Sequence, residues 1–564
     1  MKHFGPQVEE GGVRFRLWAP DAGAIFLQFR DGPEIALRDA KGGWREAFAP
    51  VQAGTNYRFR MGETLFPDPA SQAQDGGVHG WSVVVPVHES ADSWKGRPWE
   101  ETVLYECHPG LMGGFKGLAA RLESLAQLGI TAVELMPIAV FPGAHNWGYD
   151  GVLPYAPAEA YGTPDDLRAL IGQAHGLEMM IFLDVVYNHF GPEGNYLPLY
   201  AKRFFRDDIS TPWGAAIDFR LPEVREFFAQ NARQWLFDYG FDGLRFDAIH
   251  AINDAGWLAD LAKGLKSEAG DRQIHLVLEN EDNGAGLLRS GFDAQWNDDI
   301  HHAFHVLLTG ESGGYYRDFA DAPAAHLARA LAEGFVYQGQ LSASRNGRPR
   351  GEPSADLPPS SFVSFLQNHD QIGNRALGDR LTRLAAVPAL RAAMTLLLLS
   401  PQIPMLFMGE ECGSRSPFLY FTDHGPELAQ LVREGRAREF AAFAGQAGGV
   451  IIPDPNDAAT FAASRPGIDA PDSDSWRALV RDLLAVRRRH IMPFIRGAKS
   501  TGAAAIGEKA VRADWILRGG SRLRLIANLG NSPVAARTPE AGAIWGQGAS
   551  GEIAPMTTRA WISP

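Results

Sequence analysis

Cysteine is nearly missing from this 564-residue chain, which has only Cys107 and Cys412. Two thiols build neither a disulfide framework nor a cysteine zinc cluster, and such sparing use suits a reducing compartment where both stay free. Positive charge is also scarce: 53 Lys and Arg stand against 66 Asp and Glu, a formal net charge of −13. Nucleic-acid binders need clustered cations to displace counterions, so the balance argues against a nucleic-acid partner and for an uncharged one. Long apolar runs are absent too. The most apolar stretch, AAMTLLLLSPQIPMLFMG (392–409), is divided by Pro401, Gln402 and Pro404. It reads as a buried helix, a turn and a buried strand, not as a membrane span. The first residues, MKHFGPQVEEGGVRF, hold no apolar segment followed by a small-residue cleavage site. A soluble cytoplasmic protein that engages no membrane is the expectation.

What is present is globular: 45% hydrophobic and 21% charged residues, with 14 Trp among the 10% that are aromatic. The length calls for more than one domain. Residues 1–92 alternate over short segments, VRFRLW (13–18), AIFLQF (24–29) and NYRFRM (56–61), separated by Gly, Pro and Asp turns. That pattern predicts an N-terminal β-sandwich, immunoglobulin-like in the manner of glycan-binding modules. Its Trp44 and Trp81 have two readings, a grip on a glycan or filling of a small core or domain interface.

Over 93–495 the rhythm changes to short β-rich runs alternating with amphipathic helices, the pattern of parallel βα units. Eight strands are expected, within 102–107, 130–137, 180–188, 241–249, 274–280, 293–298, 362–370 and 403–411. Eight such units close a (β/α)8 TIM barrel, so the fold class is α/β. The connections 299–361 and 412–475 exceed ordinary loop lengths and should carry structure of their own over the active face. An Arg-rich helix, 475–490, ends the barrel. Residues 496–564 return to alternation, as in VRADWIL (511–517) and LRLIANL (523–529), and predict a small C-terminal all-β domain.

In a parallel barrel the chemistry sits where strands end, because side chains there converge on one mouth. Asp184, Asn188 and His189 end the third run, Arg245 and Asp247 the fourth, Glu279 the fifth, and Asn368, His369 and Asp370 the seventh. Carboxylates on separate strands flanking one bond are the minimal equipment for glycoside hydrolysis, one attacking the sugar carbon and one protonating the departing oxygen. Arg245, two residues before Asp247 and on the same face of the strand, would orient it. The charges of Asp247 and Asp370 would raise the proton affinity of Glu279 so that it starts as an acid. Tyr149, in NWGYDG (146–151), offers an aromatic face to the sugar, and His250, directly after the fourth run, is a further candidate for binding it.

The segments DVVYNH (184–189), GLRFDAIH (243–250), LEN (278–280) and FLQNHD (365–370) resemble, in order and spacing, the four short regions of the alpha-amylase superfamily of retaining glycoside hydrolases. By position, the resemblance implies Asp247 as nucleophile, Glu279 as acid/base and Asp370 as transition-state stabiliser. Arg245, His189 and His369 match supporting residues. Nearly the full length is also similar to the trehalose-releasing branch, the maltooligosyltrehalose trehalohydrolases. FPDPASQAQDGGVHG (66–80), FPGAHNWGYDGVLPYAP (141–157), DAQWNDDIHHAFHVLLTGE (293–311) and IPDPNDAATFAASR (452–465) carry that likeness. It implies cleavage of the α-1,4 bond next to a terminal trehalose, as a step of trehalose biosynthesis from glycogen- or starch-type glucans. A departure is the segment YECHPGLMGGFKG (105–117), shorter and less Thr-rich than the family's loop, which puts contacts from the first strand's loop in doubt.

Glu281, Asp282 and Asn283 after the acid/base, with Trp296, Asn297, Asp298, Asp299, His301 and His302 at the sixth strand, form a group expected on the leaving-group side, the other reading being a solvated acidic loop with Trp296 in the core. On the leaving-group side a disaccharide rich in hydroxyls needs fixed acceptors and an aromatic floor. The His301–His302 pair lacks zinc-site spacing, so no metal and no cofactor is assigned, while the many Asp and Asn remain compatible with calcium. The expected partner is a maltooligosyltrehalose substrate, with a pathway link but no indicated contact to the synthase that makes it. Alternatives are a glycogen branching or debranching enzyme of the same superfamily, which differs in acceptor, and a non-catalytic glycan-binding barrel, against which the intact trio of carboxylates argues.

Overall fold

The structure, a computed structural model, describes residues 4–86, 93–211, 214–252, 254–440, 451–468, 470–548 and 550–564. Its centre is a closed parallel barrel of eight strands: Leu104–Cys107, Ala132–Leu135, Met180–Val185, Gly243–Phe246, His275–Leu278, Ala294–Trp296, Phe362–Phe365 and Ile403–Phe407. The first strand pairs with the last, Leu104 opposite Met405, which closes the ring. Every one of these strand residues is buried, because a barrel strand faces side chains on the inside and helices on the outside. Each strand falls within a run predicted from sequence, and each is shorter than its run. The difference matters at the carboxyl ends: Asp247 and Glu279 are the first residues beyond their strands, and His369 and Asp370 open a short helix, His369–Gly373.

The apolar run divided by prolines becomes a buried helix, Val387–Leu399, and the eighth strand. Among the described residues no helix is long and apolar enough to cross a membrane. The Arg-rich helix spans Ser473–His490, and its stripe Trp476, Val480, Leu483, Leu484 and Arg487 is buried at helical spacing. Arg487 is accommodated there by donating to the carbonyls of Leu398 at 3.0 Å and Gln402 at 2.7 Å. Buried cations need such partners.

Before the barrel lie two antiparallel sheets, one built on Gly12–Trp18 and Trp44–Ala49, the other on Phe26–Phe29 and Asn56–Met61. Phe15 of the first packs edge-on against Tyr57 and Phe29 of the second, with ring centroids 4.7 and 5.7 Å apart. Both tryptophans are engaged within the protein: Trp44 packs on Phe4 at 4.6 Å, and Arg58 and Arg30 lie over Trp81 at 3.9 and 5.2 Å. Phe66 stacks on Tyr200 at 4.8 Å and ties these sheets to the barrel. The expected boundary at residue 92 lies outside the described residues. At the other end a five-stranded antiparallel sheet, built on Lys499–Gly507, Ala510–Ile516, Arg522–Asn528 and Thr557–Ser563, packs on the barrel helices Pro323–Glu333 and Val387–Leu399.

Both long connections carry structure. Residues 299–361 contain the helix Pro323–Glu333 and a hairpin, Gln340–Ser342 with Arg348–Arg350. The second, 412–475, contains the helices Pro426–Glu439 and Ala458–Ala463, with 441–450 outside the described residues. Cys107 and Cys412 are buried and unpaired.

Candidate active site

Arg245 organises the mouth of the barrel. Fully buried, its guanidinium donates through Nη1 to Asp184 Oδ2 at 2.7 Å and Asp247 Oδ1 at 2.8 Å, and its Nη2 lies 3.4 Å from Glu279 Oε2. Burial disfavours the cation, but Asp184, Glu279 and Asp247 among its neighbours outweigh it and hold Arg245 well above the usual arginine value. Asn188 fixes the remaining oxygen of Asp247, donating at 2.7 Å to Oδ2. Ala248, forced to φ 41°, aims its N–H at Glu279 Oε2 from 2.6 Å. A positive φ at a residue with a side chain is strained, and such strain is characteristic of functional turns.

Glu279 is held above the ordinary carboxyl range, first by burial and then by Asp247 and Asp370, with Arg245 opposing. The neighbouring charges therefore act as expected from sequence, but desolvation is the larger cause. Asp370 stands partly exposed at the start of its short helix. Asn368 caps that helix, accepting from the Asp370 N–H at 2.9 Å. Asn368 thus holds Asp370 in place from a buried position. Tyr149 donates to Asp184 at 2.7 Å, lies 2.8 Å from His369 Nε2, and stacks on the His369 ring at 5.2 Å. His189 contacts Asn188 Oδ1 and the Tyr149 carbonyl, the latter at 3.0 Å. These residues form one connected polar layer.

Beside them opens a cleft of about 550 Å³, reached by Glu279, Glu281, Asp298, His302 and Asp370 from the barrel and by Tyr315, Arg317, Arg345 and Arg350 from the 299–361 connection. Asp298 heads the helix Asp298–Thr309, accepts from Gln371 at 3.1 Å, and is raised to about 8 by burial together with Glu279 and Asp370. Not every predicted member of this side reaches it. Trp296 is only 1% exposed and lies beneath Arg245, so it forms no floor for a sugar. Asp299 is buried and accepts from Asn283 and from the amides of Val336 and Tyr337, tying the connection to the barrel. His301 turns inward onto Tyr316 and the Leu366 carbonyl. Asp282 is paired with Arg345, which also binds Glu281 at 2.6 Å; His250 lies 3.7 Å from Glu281. The shortened first loop contributes no wall to this cleft. Its His108 is buried, bonded to the Asn146 carbonyl at 2.7 Å.

Sequence reading did not single out Glu106, which contacts His369 Nδ1, nor Glu134 beside it, nor the Tyr315, Arg317 and Arg345 wall. Among the described residues no group of three or more His, Cys, Asp or Glu is arranged to hold a metal ion.

Comparison with known proteins agrees with this geometry. The model of the alpha-amylase catalytic domain matches residues 70–206, and a domain of unknown function, DUF3459, matches 498–560. The chain is 40% identical to a malto-oligosyltrehalose trehalohydrolase of Deinococcus radiodurans over 85% of its own length and 81% of that protein's. Against the enzyme of the same description from Arthrobacter ramosus, identity is 39% over 84% and 87% of the two chains. A crystal structure from Salmonella typhimurium, assigned to the alpha amylases, superposes with a TM-score of 0.94 at 41% identity over the whole of both chains. With a closed eight-stranded barrel, an Arg-centred carboxylate site at its mouth and relatives this similar over most of their length, the chain belongs to the malto-oligosyltrehalose trehalohydrolases of the alpha-amylase superfamily.

Proposed function

We propose that this chain hydrolyses the α-1,4 bond next to the terminal trehalose of malto-oligosyltrehalose with retention of configuration, releasing trehalose and a maltooligosaccharide. The observation that carries the mechanism is that one guanidinium, Arg245, contacts both Asp247 and Glu279, so a carboxylate held by hydrogen bonds and a carboxyl group raised by burial share one mouth. Double displacement needs that inequality. Glu279 starts with its proton and gives it to the departing glycosidic oxygen while an oxygen of Asp247 bonds to the anomeric carbon. Asp247 is oriented for this by a donor on each oxygen, Arg245 and Asn188. Water then enters, Glu279 takes its proton, and the glycosyl–Asp247 bond breaks. Asp370, with His369 at its side, binds sugar hydroxyls as charge develops on the ring. His189 and Tyr149 complete that subsite.

Trehalose would leave through the cleft of Asp298, Glu281 and the 299–361 connection. Buried polar groups placed for one set of hydroxyls reject ligands that leave those groups unpaired. Product analysis on malto-oligosyltrehalose tests the reading. Free trehalose and a new reducing end appearing first as the α-anomer are expected. An initial β-anomer would remove Asp247 as nucleophile, and new α-1,6 branches formed from amylose would select a branching enzyme instead.

A further inference from the structure

Beneath the mouth, two carboxyl side chains have no part in the reaction as described. Glu106 and Glu134 are register partners on the first and second strands, and both are buried. Their surroundings differ. Glu106 receives His369 Nδ1 on Oε1 and lies 3.3 Å from the His369 amide with Oε2. Neither oxygen of Glu134 has a hydrogen-bond partner, and burial, with Glu106 and Asp184 adding, holds it well above the usual carboxyl range as a neutral acid. Two adjacent carboxylates so far from water would repel strongly.

Hydrogen-bond accounting then defines the state of His369. At pH 8, above the value of about 7 to which burial raises it, Asp184 is ionised and accepts the one hydroxyl hydrogen of Tyr149 at 2.7 Å. The Tyr149 oxygen, 2.8 Å from His369 Nε2, is therefore an acceptor, and Nε2 must carry hydrogen. On the other side of the ring Nδ1 faces the carboxylate of Glu106, also an acceptor. Both ring nitrogens are donors. We propose that Glu106 is a positioning residue for glycoside cleavage, holding His369 doubly protonated so that its Nε2–H fixes the Tyr149 hydroxyl and its charge stands beside Asp370. This role rests on the hydrolase reading given above. Burial alone would make His369 neutral, but Asp370 and Glu106 reverse that and raise it to about 9. The other groups facing the ring are Tyr149, Asp184 behind it, Glu134, and the cation Arg245, which opposes the charge; His108 lies near enough to feel it. A charged donor holds the Tyr149 hydroxyl more strongly than a neutral one.

The experiment compares Glu106→Gln with Glu134→Gln, two substitutions of equal size at paired barrel positions. Without the negative charge, His369 in Glu106→Gln should titrate near the ordinary value of about 6.5. Its kcat/KM on malto-oligosyltrehalose should stay within about threefold of wild type at pH 5.5 and fall by about 10- to 100-fold at pH 8, the loss expected about 1.5 pH units above that value. Glu134→Gln, replacing a neutral acid by a neutral amide, should not bend the profile. A pH-independent loss in Glu106→Gln, equal to that of Glu134→Gln, would overturn the proposal. A second measurement needs no variant at position 106: nitrogen-15 histidine NMR of the full wild-type chain, with the His369 signals assigned through His369→Gln. His369 should remain doubly protonated at pH 8, and a neutral ring there would overturn the proposal even if the enzyme were active. A wild-type chain that cleaves no glycoside would refute the hydrolase reading, while the NMR result would still decide the Glu106–His369 link.

Discussion

Arg245 lies over the indole of Trp296, with Cζ 4.2 Å from the ring centroid. Nη1 of the guanidinium is shared by Asp184 and Asp247 and Nη2 faces Glu279 at 3.4 Å, and an aromatic ring is the partner that a planar cation's face accepts. Trp296 should therefore affect catalysis through Arg245. Trp296→Leu should lower kcat by about tenfold or more with little change in KM, and destabilise the fold by about 3 kcal/mol as a buried large-to-small change. Steady-state kinetics and thermal unfolding check both. A loss carried by KM alone would mean that the indole touches sugar after all.

Asp247→Asn and Glu279→Gln each keep size while deleting a nucleophile or a proton donor. Each should reduce kcat by about 10²- to 10⁴-fold or more, the range for loss of such a group. The melting temperature should stay within a few degrees, since each change keeps the side chain's size and Arg245 keeps its ion pair with Asp184 at 2.7 Å. Asp370→Asn should be nearly as damaging. Wild-type turnover in Asp247→Asn would show the assignment to be wrong.

The barrel was legible because each strand is a short apolar run bounded by turns, and the trio was legible because carboxylates interrupt that pattern where strands stop. Glu106 and Glu134 escaped notice because LYEC and AVEL look like ordinary alternation with a solvent face. A strand of a parallel barrel has no solvent face, so a glutamate inside it points at the core or the site. That signal was present and unused. Tyr315, Arg317 and Arg345 carried none, because they reach the cleft only through the return path of a connection whose course depends on packing, with Asp299 as its anchor. Trp296 misled because aromatic residues near a strand end serve the ligand and the core alike.

Asp298 should make stability pH-dependent. Its folded carboxyl is raised to about 8, whereas the unfolded chain has the ordinary aspartate value. Between those two values the folded state holds a proton that the unfolded state does not, so stability falls as pH rises from about 4 to 8. Asp298→Asn should remove this contribution, raising the melting temperature at pH 8 by a few degrees and flattening its slope with pH. Calorimetry at pH 5, 6.5 and 8 measures it. An unchanged slope would mean that Asp298 is already ionised when folded.

Selectivity should depend on the clasp between Arg345 and the pair Glu281 and Asp282. Arg345 comes from the 299–361 hairpin and binds Glu281 at 2.6 Å, joining the wall of the cleft to the loop that follows Glu279. Glu281 and Asp282 are about 60% exposed, with side-chain values of 62% and 59%, so the clasp contributes little to global stability. Its effect is local, on the width and polarity of the path by which the leaving disaccharide departs. Arg345→Ala should leave the melting temperature within a degree or two. It should also lower kcat/KM on malto-oligosyltrehalose by about tenfold, equivalent to about 1.4 kcal/mol of transition-state binding. The slow reaction on a plain maltooligosaccharide of equal length should change by less than about threefold, because a maltose end makes little use of a wall shaped for trehalose. Rates on the two substrates, measured side by side for wild type and variant, decide the matter. Equal losses on both would place the clasp in general catalysis, and equal wild-type rates would reduce the enzyme to an unselective amylase.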